Sequence, residues 1–322
     1  MRAVLGIDTS CYTTSAALVS VSGRIIASSR RLLTVEEGER GLQQSQGLFQ
    51  HVRNLPDMIS DVMCNTADAE IAAVCASVRP RPAQDSYMPV FRAGESQARA
   101  AASLLRVPFY PVSHQEGHVR AAMVDSGIDV KRPFLALHLS GGTTEILLVN
   151  DGGITLLGGS LDLHAGQLVD RTGVRMKLGF PAGPALEKLA ITGEQQALCQ
   201  SLLGVSIKGV DCCLSGAENK VVRLLDEGVS HEQIAIEVFD FLCRTIERQI
   251  ENACEKTQCR QALLAGGVAS SGLLRRLLEQ RARKRRLDCR LCFARPELSG
   301  DNAVGVALLG AQMLRSGEQK EE

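Results

Sequence analysis

Small and apolar residues alternate with polar turns at two places in the chain, in the same pattern. The stretch 4-VLGIDTSCYTTSAALVSVSGRIIA-27 has an apolar run, a Ser/Thr-rich turn, a second apolar run and a further turn at Gly23. The stretch 134-FLALHLSGGTTEILLVNDGGITLL-157 repeats it with an offset of 130 residues, and Gly153 takes the place of Gly23. Each stretch predicts a hairpin followed by a third strand and then by helical sequence. The repetition predicts a duplicated α/β unit.

The tips of the two predicted hairpins carry hydroxyl groups and glycines. Ser10 and Thr13 of the first tip match Ser140 and Thr143 of the second. The Gly141-Gly142 pair lets backbone amides approach an anion closely, and the hydroxyls add donors. Two such tips facing one another would hold a polyphosphate between two lobes. An ordinary pair of tight hairpins is the alternative interpretation.

Two further segments end in polar loops that lead into helical sequence. In 262-ALLAGGVASSGLLRRLLEQ-280 an apolar strand reaches a Gly266-Gly267 turn and an amphipathic helix, an arrangement that suits a nucleotide but also occurs in many other α/β crossovers. In 299-SGDNAVGVALLGAQML-314 a loop leads into an apolar helix, and Asp301 stands at its start. Asp301 is either the N-cap of that helix or a ligand for a metal ion.

The stretch 113-SHQEGHVRA-121 places two histidines on one face of a predicted helix. Ser113 and Glu116 have the spacing of a capping box, which predicts that the helix begins at this point. His114 and His118 are four residues apart, so that both imidazoles can reach one ion. Two nitrogens do not complete a metal site, and Asp301 is the best candidate for the third ligand.

Composition limits the classes of function. Of the 322 residues, 36 are Lys or Arg and 36 are Asp or Glu, so no overall field attracts nucleic acid. The basic run 275-RRLLEQRARKRRLDCR-290 is either a local contact for tRNA phosphates or a solvated helix face. The absence of a long apolar run and of a signal-peptide pattern, together with an odd count of 11 cysteines, predicts a cytoplasmic protein without membrane contact and with reduced thiols.

Short motifs spread along nearly the whole chain resemble the TsaD/YgjD family, once called O-sialoglycoprotein endopeptidases. The matching pieces are GIDTSC at 6–11, HVRNLP at 51–56, HQEGH at 114–118, LSGGTTE at 139–145, AGQLVDRTG at 165–173, FPAGP at 180–184, LSGAENK at 214–220, AGGVASSGLLR at 265–275 and SGDNAVG at 299–305. The resemblance implies the duplicated α/β fold of the actin-like, sugar kinase and Hsp70 ATPase superfamily (ASKHA), with two lobes around a nucleotide cleft. The expected division is 1–106, completed by a C-terminal helix near 303–315, and 107–322, which would carry the metal and nucleotide site.

The resemblance also implies a reaction. The family transfers a threonylcarbamoyl group from its adenylate to the N6 amine of adenosine 37 in tRNA. The implied ligands of one divalent metal, Fe or Zn, are His114, His118 and Asp301. Glu116 is expected to cap its helix and to orient a histidine. The residues expected to contact ATP or the acyl-adenylate are Leu139, Ser140, Gly141, Gly142, Thr143, Asp170, Gly183, Gly266, Gly267 and Ser271. Asp170 would hold the ribose hydroxyls, and tRNA and a TsaB-like chain are the implied partners.

The sequence departs from the family pattern at several positions. An acidic pair usually follows the first motif, where this chain has Tyr12, Thr13 and Thr14. Other altered positions are Thr143 for histidine, Gln167 for glutamate, Ser271 for asparagine, and a segment without glycine, 77-SVRPRPAQDS-86, for a glycine-rich one. Two alternatives therefore stay open. One is a carbamoyl- or acyl-adenylate transferase with another acceptor, and the other is a non-catalytic nucleotide-binding paralogue that regulates a true TsaD.

Overall fold

The computed structural model describes residues 1–10, 12–35, 42–64, 66 and 69–321, without the side chains beyond residue 318. Cys11 of the GIDTSC motif lies outside the described residues. The chain divides into two compact units. The first comprises Met1–Val124 and Gly300–Glu322, and the second comprises Asp125–Ser299.

A five-stranded mixed sheet forms the centre of the first unit. Its strands are β1 (Arg2–Thr9), β2 (Thr13–Ser20), β3 (Ile25–Leu32), β4 (Glu70–Arg79) and β5 (Phe109–Ser113). Their order across the sheet is β3-β2-β1-β4-β5, in which β1, β2 and β3 are antiparallel neighbours and β4 and β5 continue in parallel. The helices of this unit are α1 (Gln44–Cys64), α2 (Phe91–Leu105), α3 (His114–Ala122) and α10 (Val304–Glu321).

The second unit repeats this sheet. Its strands are β6 (Phe134–Leu139), β7 (Thr144–Asn150), β8 (Gly153–Gly159), β11 (Gln261–Ala265) and β12 (Arg290–Phe293). The order β8-β7-β6-β11-β12 follows the same plan as the first sheet, with the same parallel and antiparallel neighbours. A separate hairpin joins β9 (Ser206–Lys208) to β10 (Asp211–Cys213). The helices are α4 (Ala165–Arg175), α5 (Gly183–Gln195), α6 (Ser215–Asp226), α7 (His231–Thr257), α8 (Gly272–Arg285) and α9 (Pro296–Ser299).

The two predicted hairpins agree with each other down to the hydrogen bond that closes each tip. The amide of Ser10 donates to the carbonyl of Thr13 at 3.2 Å, and the amide of Ser140 donates to that of Thr143 at 2.8 Å. The second turns also match, since Gly23 has φ +97° and Gly153 has φ +110°. Side chains with a Cβ rarely adopt this backbone conformation, which explains glycine at both positions. The duplication predicted from the sequence pattern is therefore present.

The boundary between the units differs from the expected one at 106/107. Strand β5 pairs in parallel with β4, and α3 packs against α10, so residues 107–124 belong to the first unit. The two helices approach closely because both contribute glycine, and a Cβ on Gly305 would overlap the carbonyl of Gly117. As a result the HQEGH motif belongs to the first unit. Within the described part of the chain, no helix is both long and apolar enough to span a membrane.

Candidate metal centre and ligand cavity

Helix α3 starts with the capping box that the sequence predicts. The side chain of Ser113 accepts a hydrogen bond from the amide of Glu116 at 3.2 Å, and Oε2 of Glu116 accepts one from the amide of Ser113 at 2.7 Å. These bonds satisfy amides that the first turn of a helix leaves without an intrahelical partner. The helix is thereby fixed at its first residue, His114, and the ring of His118 lies one turn further along.

Three side chains of the first unit bring their ligand atoms together. The Nε2 atoms of His114 and His118 are 2.9 Å apart, and Nε2 of His118 is 3.0 Å from Oδ1 of Asp301. Nε2 of His114 is 3.7 Å from the same oxygen. The group is only partly buried, and its members offer one ligand atom each to a metal ion. His118 and Asp301 are 183 positions apart in the sequence, and the fold brings them within contact distance.

A buried carboxylate that sequence reasoning missed lies behind the first histidine. Asp8, with an exposed fraction of 0%, accepts a hydrogen bond from Nδ1 of His114 at 2.9 Å and another from the hydroxyl of Ser77. Since Nδ1 donates to a carboxylate, the lone pair of Nε2 is left to bind an ion at the place where the three ligand atoms converge. The residue that orients a histidine is therefore Asp8. Glu116 was expected in this role, but its carboxylate accepts the capping bonds from Ser113 instead.

Asp301 is held by the first hairpin tip. Its Oδ2 accepts a hydrogen bond from Oγ of Ser10 at 2.7 Å, while Oδ1 faces the histidines. The alternative interpretation, that Asp301 caps the C-terminal helix, is wrong, because Oδ1 of Asn302 accepts the amide of Val304 at 3.0 Å. The neighbour of Asp301 thus supports the helix start.

The charged groups of this cluster shift the pKa of His114 and of Asp301 in opposite directions. Burial lowers the pKa of His114, but the Asp8 carboxylate and the hydrogen bond to it outweigh this effect and raise the pKa to about 9. Burial raises the pKa of Asp301, but the hydrogen bond with His118 and the nearby charge of His114 hold it well below its usual range. The cluster therefore binds a proton at neutral pH when no cation is present. A metal ion has to displace this proton.

The first tip is anchored by a third histidine, His51 of the HVRNLP motif. His51 is fully buried, and its Nε2 donates to the carbonyl of Ser10 at 2.8 Å. Its Nδ1 lies 2.8 Å from Oγ1 of Thr14, which fits a neutral ring that accepts from the hydroxyl. Burial lowers the pKa of His51, so the ring stays neutral. These bonds hold the backbone at Ser10, which in turn positions Asp301.

The second unit contains an open cavity of about 320 Å³, which we call the glycine-lined cavity. Its lining residues are Gly141, Gly166, Val169, Asp170, Pro181, Gly183, Pro184, Glu187, Phe239, Gly267, Val268, Ser270 and Ser271. Helix α4 closes one side of it against the second tip, where a Cβ on Gly166 would lie 2.5 Å from the amide nitrogen of Gly141. The opposite side of Gly141 is open, since a Cβ added there meets nothing within 4 Å. The volume and the mixed apolar and polar lining suit a small organic ligand.

The predicted nucleotide residues divide into two groups. Gly141, Asp170, Gly183, Gly267 and Ser271 line the glycine-lined cavity. The others do not line it: Leu139, Ser140, Gly142, Thr143 and Gly266. Leu139 and Gly266 have structural contacts instead, because the carbonyl of Leu139 accepts the amide of Val268 and leaves no room for a Cβ on Gly266.

Several cavity residues also stabilise local structure. Oδ1 of Asp170 accepts the amide of Ala182 at 2.9 Å, and Oγ of Ser271 caps helix α8 by accepting the amide of Leu274 at 3.1 Å. Glu187, which sequence reasoning missed, accepts the amide of Leu273 at 2.8 Å. The altered Gln167 lies outside the cavity lining, and its Oε1 accepts the amide of His164 in the capping box of α4. Glutamate or glutamine can serve at that capping position.

The duplicated sheets define a class of fold, that of the ASKHA-type ATPases and sugar kinases, and similar solved structures share it. One is the activator of the 2-hydroxyisocaproyl-CoA dehydratase from Clostridium difficile with bound ADPNP (TM-score 0.53, 16% identity, 99% of this chain and 97% of that one). A second is HypF from T. kodakarensis (TM-score 0.61, 14% identity, 98% of this chain and 48% of that one). A third is a ROK family glucokinase from Streptomyces griseus in complex with glucose and AMPPNP (TM-score 0.52, 12% identity, 96% and 99%). At these identities the likeness establishes the fold alone.

Within this class the sequence identifies the family. Residues 47–308 match the family model of TsaD, tRNA N6-adenosine threonylcarbamoyltransferase, and the chain belongs to that family. A curated relative is the probable bifunctional tRNA threonylcarbamoyladenosine biosynthesis protein of Methanothermobacter thermautotrophicus, 27% identical over 307 residues. The match covers 95% of this chain and 55% of the relative, so the chain spans about half the length of that protein. The names of the family and of the relative both refer to tRNA modification.

Proposed function

We propose that this chain is a metal-dependent transferase that moves a threonylcarbamoyl group from its adenylate to the N6 amine of adenosine 37 in tRNA. The observation that carries the proposal is the convergence of His114, His118 and Asp301 with Asp8 behind the first histidine. The reaction forms a bond between N6 and the carbonyl carbon, breaks the bond from that carbon to the phosphate oxygen, and releases AMP and a proton. It therefore needs a bound adenylate and a group that stabilises negative charge on oxygen.

The three converging atoms fit a metal ion. A tetrahedral ion with bonds of about 2.0–2.1 Å separates its ligand atoms by about 3.3 Å, and an octahedral one separates neighbouring ligands by about 2.9 Å. The distances of 2.9, 3.0 and 3.7 Å lie around these values. Two imidazoles and one carboxylate suit both Zn²⁺ and non-haem Fe²⁺. When bound, such an ion would supply Lewis-acid polarisation of a phosphate or carbamoyl oxygen.

The chain's own residues prepare the ligands before any ion arrives. Asp8 fixes the tautomer of His114 through Nδ1, and this arrangement raises the basicity of Nε2. Ser10 holds Oδ2 of Asp301, which leaves Oδ1 for the ion. Oδ2 of Asp8 is buried and has no hydrogen-bond partner in the described structure. A buried carboxylate behind a histidine is typical of a cation site, because a buried charge requires a partner.

The glycine-lined cavity is the proposed site of the adenylate. Asp170 is the one aspartate in its lining, and its carboxylate is the group we assign to the ribose hydroxyls. Gly141 offers an open backbone for the phosphate, because nothing occupies the space where its Cβ would be. ATP or the acyl-adenylate would share these contacts.

The altered family positions are compatible with retained activity. Gln167 keeps a capping bond at the start of α4, and Ser271 caps α8, so each substitute has a structural role. Neither Thr143 nor Gln167 lines the glycine-lined cavity. The departures therefore remove fewer contacts from the proposed adenylate site than the sequence alone suggests, which weighs against a purely regulatory role.

A second candidate function is transfer of the same kind of acyl group to another acceptor. The segment without glycine, 77–86, favours it, because the carbonyl of Pro80 accepts the amide of Gln115 at 3.0 Å in the first turn of α3. The segment that departs most from the family thus contacts the helix that carries both histidines. A change at this place alters the surroundings of the proposed metal ion while keeping its ligands.

The deciding experiment combines the full chain with threonylcarbamoyl-adenylate and unmodified tRNA that decodes ANN codons, with and without a TsaB-like helper chain. Nucleoside mass spectrometry then measures threonylcarbamoyladenosine. We expect product from the wild type and none from His118→Ala. Absence of product in every combination, with metal and nucleotide still bound, would exclude the tRNA reaction and leave the second candidate. A parallel search for acylated small molecules or proteins would test that candidate.

A further inference from the structure

Four arginines of the second unit surround a small cavity that shares no lining residue with the glycine-lined one. Arg244 and Arg248 lie one turn apart on α7, and Arg281 and Arg285 lie one turn apart on α8. With Val205 they line a space of about 160 Å³, which we call the arginine cavity. That volume equals about five water molecules at roughly 30 Å³ each, enough for one tetrahedral oxyanion.

Two of the four guanidinium groups are fixed by carboxylates. Nε of Arg244 donates to Oδ2 of Asp240 at 2.7 Å, and its NH2 group donates to the carbonyl of Leu203 at 2.7 Å. Arg281 donates to Oε2 of Glu247 at 3.0 and 2.8 Å and lies 3.4 Å from Oδ1 of Asp240. These bonds hold the two groups rigidly at the wall of the cavity.

The other two guanidinium groups are not engaged in this way. Arg285 comes no closer than 3.8 Å to Glu247, which is outside hydrogen-bond distance. Arg248 makes no hydrogen bond or ion pair among the contacts of the described residues. Both side chains belong to exposed residues, so that they can turn toward a ligand without breaking an existing bond.

The charge balance favours an anion. Four cationic groups line the cavity, and the two carboxylates that contact them, Asp240 and Glu247, offset half of this charge. A third carboxylate near Asp240, that of Glu237, accepts the amides of Gln200 and Leu202 and does not line the cavity. Guanidinium groups bind phosphate oxygens through paired N–H donors, and they are the usual cations at such sites.

We propose that the arginine cavity binds a phosphate group, with Arg244 and Arg281 as fixed walls and Arg248 and Arg285 as the groups that close on the ligand. The phosphate comes either from the backbone of an RNA or from a free phosphate or pyrophosphate. The site does not depend on the proposed transferase activity, since it shares no residue with the metal cluster or with the glycine-lined cavity.

The test uses the full chain and two double variants with equal loss of charge. Arg248→Gln/Arg285→Gln removes the closing groups, whereas Arg283→Gln/Lys284→Gln removes two exposed cations of α8 that do not line the cavity. One arm measures thermal stabilisation by inorganic phosphate against chloride at matched ionic strength. The other arm measures affinity for a fluorescent structured RNA over a range of salt concentrations. ADP binding to both variants reports whether the glycine-lined cavity is intact.

Loss of phosphate stabilisation in the first variant alone supports a free phosphate ligand. An RNA affinity about tenfold lower in the first variant alone, with a salt slope shallower by roughly 1–2, supports a backbone phosphate. Equal effects of both variants would show that binding depends on the total positive charge and not on the arginine cavity, and would overturn the proposal. No effect of the first variant in either arm would overturn it as well.

Discussion

Ser10 and Ser140 occupy the same place in the two repeated hairpins, but their surroundings differ. Ser10 is buried, donates to Asp301 and has its carbonyl fixed by His51. Ser140 lies beside two exposed glycines at the edge of a cavity. Both tips keep the same closing bond between the amide of the serine and the carbonyl three residues later. The comparison shows that the two copies share the backbone of the tip, whereas the side chains around it differ: the first tip holds Asp301 of the proposed metal centre, and the second borders the glycine-lined cavity.

Among residues that are not themselves proposed ligands, the largest effect on metal binding is expected from Asp8→Asn. The amide can still accept a hydrogen bond from Nδ1 of His114, but it removes the negative charge that raises the basicity of Nε2. Loss of a carboxylate behind a ligating histidine typically costs 10–100-fold in metal affinity, and we expect a decrease in that range. Competition with a coloured chelator measures it. Asp301→Asn provides the comparison for direct ligand loss, and an unchanged affinity in Asp8→Asn would show that Asp8 has only a packing role.

For the second tip, Gly141→Val and Gly142→Val form a matched pair. At both positions an added Cβ meets nothing within 4 Å, so that neither change disturbs packing, but only Gly141 lines the glycine-lined cavity. We expect Gly141→Val to lower the affinity for ADP roughly tenfold or more, equal to about 1.4 kcal/mol. Gly142→Val should leave it nearly unchanged. Calorimetry checks both, and equal losses in the two variants would place the phosphate outside this cavity.

The raised pKa of His114 predicts that the stability of the metal-free protein depends on pH. The pKa of His114 is raised from 6.5 to about 9, so proton binding stabilises the folded metal-free protein fully below about pH 6.5. That contribution is lost as the pH rises through 9. Urea unfolding of chelator-treated protein should therefore show falling stability over this interval, and His114→Gln should flatten the slope. A slope that is the same in His114→Gln would assign the effect to other groups.

The smallest effect is expected from Ser271→Ala. Removal of the cap on α8 should lower the free energy of unfolding by about 1 kcal/mol, because the amide of Leu274 loses its acceptor. If Ser271 serves mainly as a cap, ADP affinity stays within about twofold. A tenfold loss of affinity at unchanged stability would instead make Ser271 a ligand contact. Denaturant unfolding and calorimetry on the same preparation separate the two roles.

The sequence predicted most of what depends on local pattern. The repeat at an offset of 130 residues predicted both hairpins, and the spacing of Ser113 and Glu116 predicted the start of α3. The pairing of β5 with β4 could not be read in the same way, because parallel pairing joins segments with no shared turn. The unit boundary was therefore placed too early.

Asp8 shows why the rest of the site was missed. Its partners Ser77 and His114 come from two other segments, and the sequence alone does not reveal which strands lie beside β1. A signal was nevertheless present, since Asp8 is the one charged residue within the stretch AVLGIDT, which follows Arg2 in this strand and is otherwise small, apolar or uncharged. A buried charge of this kind requires a partner. The roles of Gln167 and Ser271 were hidden for a different reason, because a capping side chain and a ligand contact look alike in sequence.

The measurement that tests the proposed metal centre most directly is the metal content of protein purified without added metal. Elemental analysis of the wild type should give about one Fe or Zn per chain, and His118→Ala should give a small fraction of that amount. His231→Ala is the matched control, because that exposed histidine at the start of α7 belongs to no candidate metal group among the described residues. Metal content equal in the wild type and in His118→Ala would contradict the assignment of His114, His118 and Asp301 as a metal site.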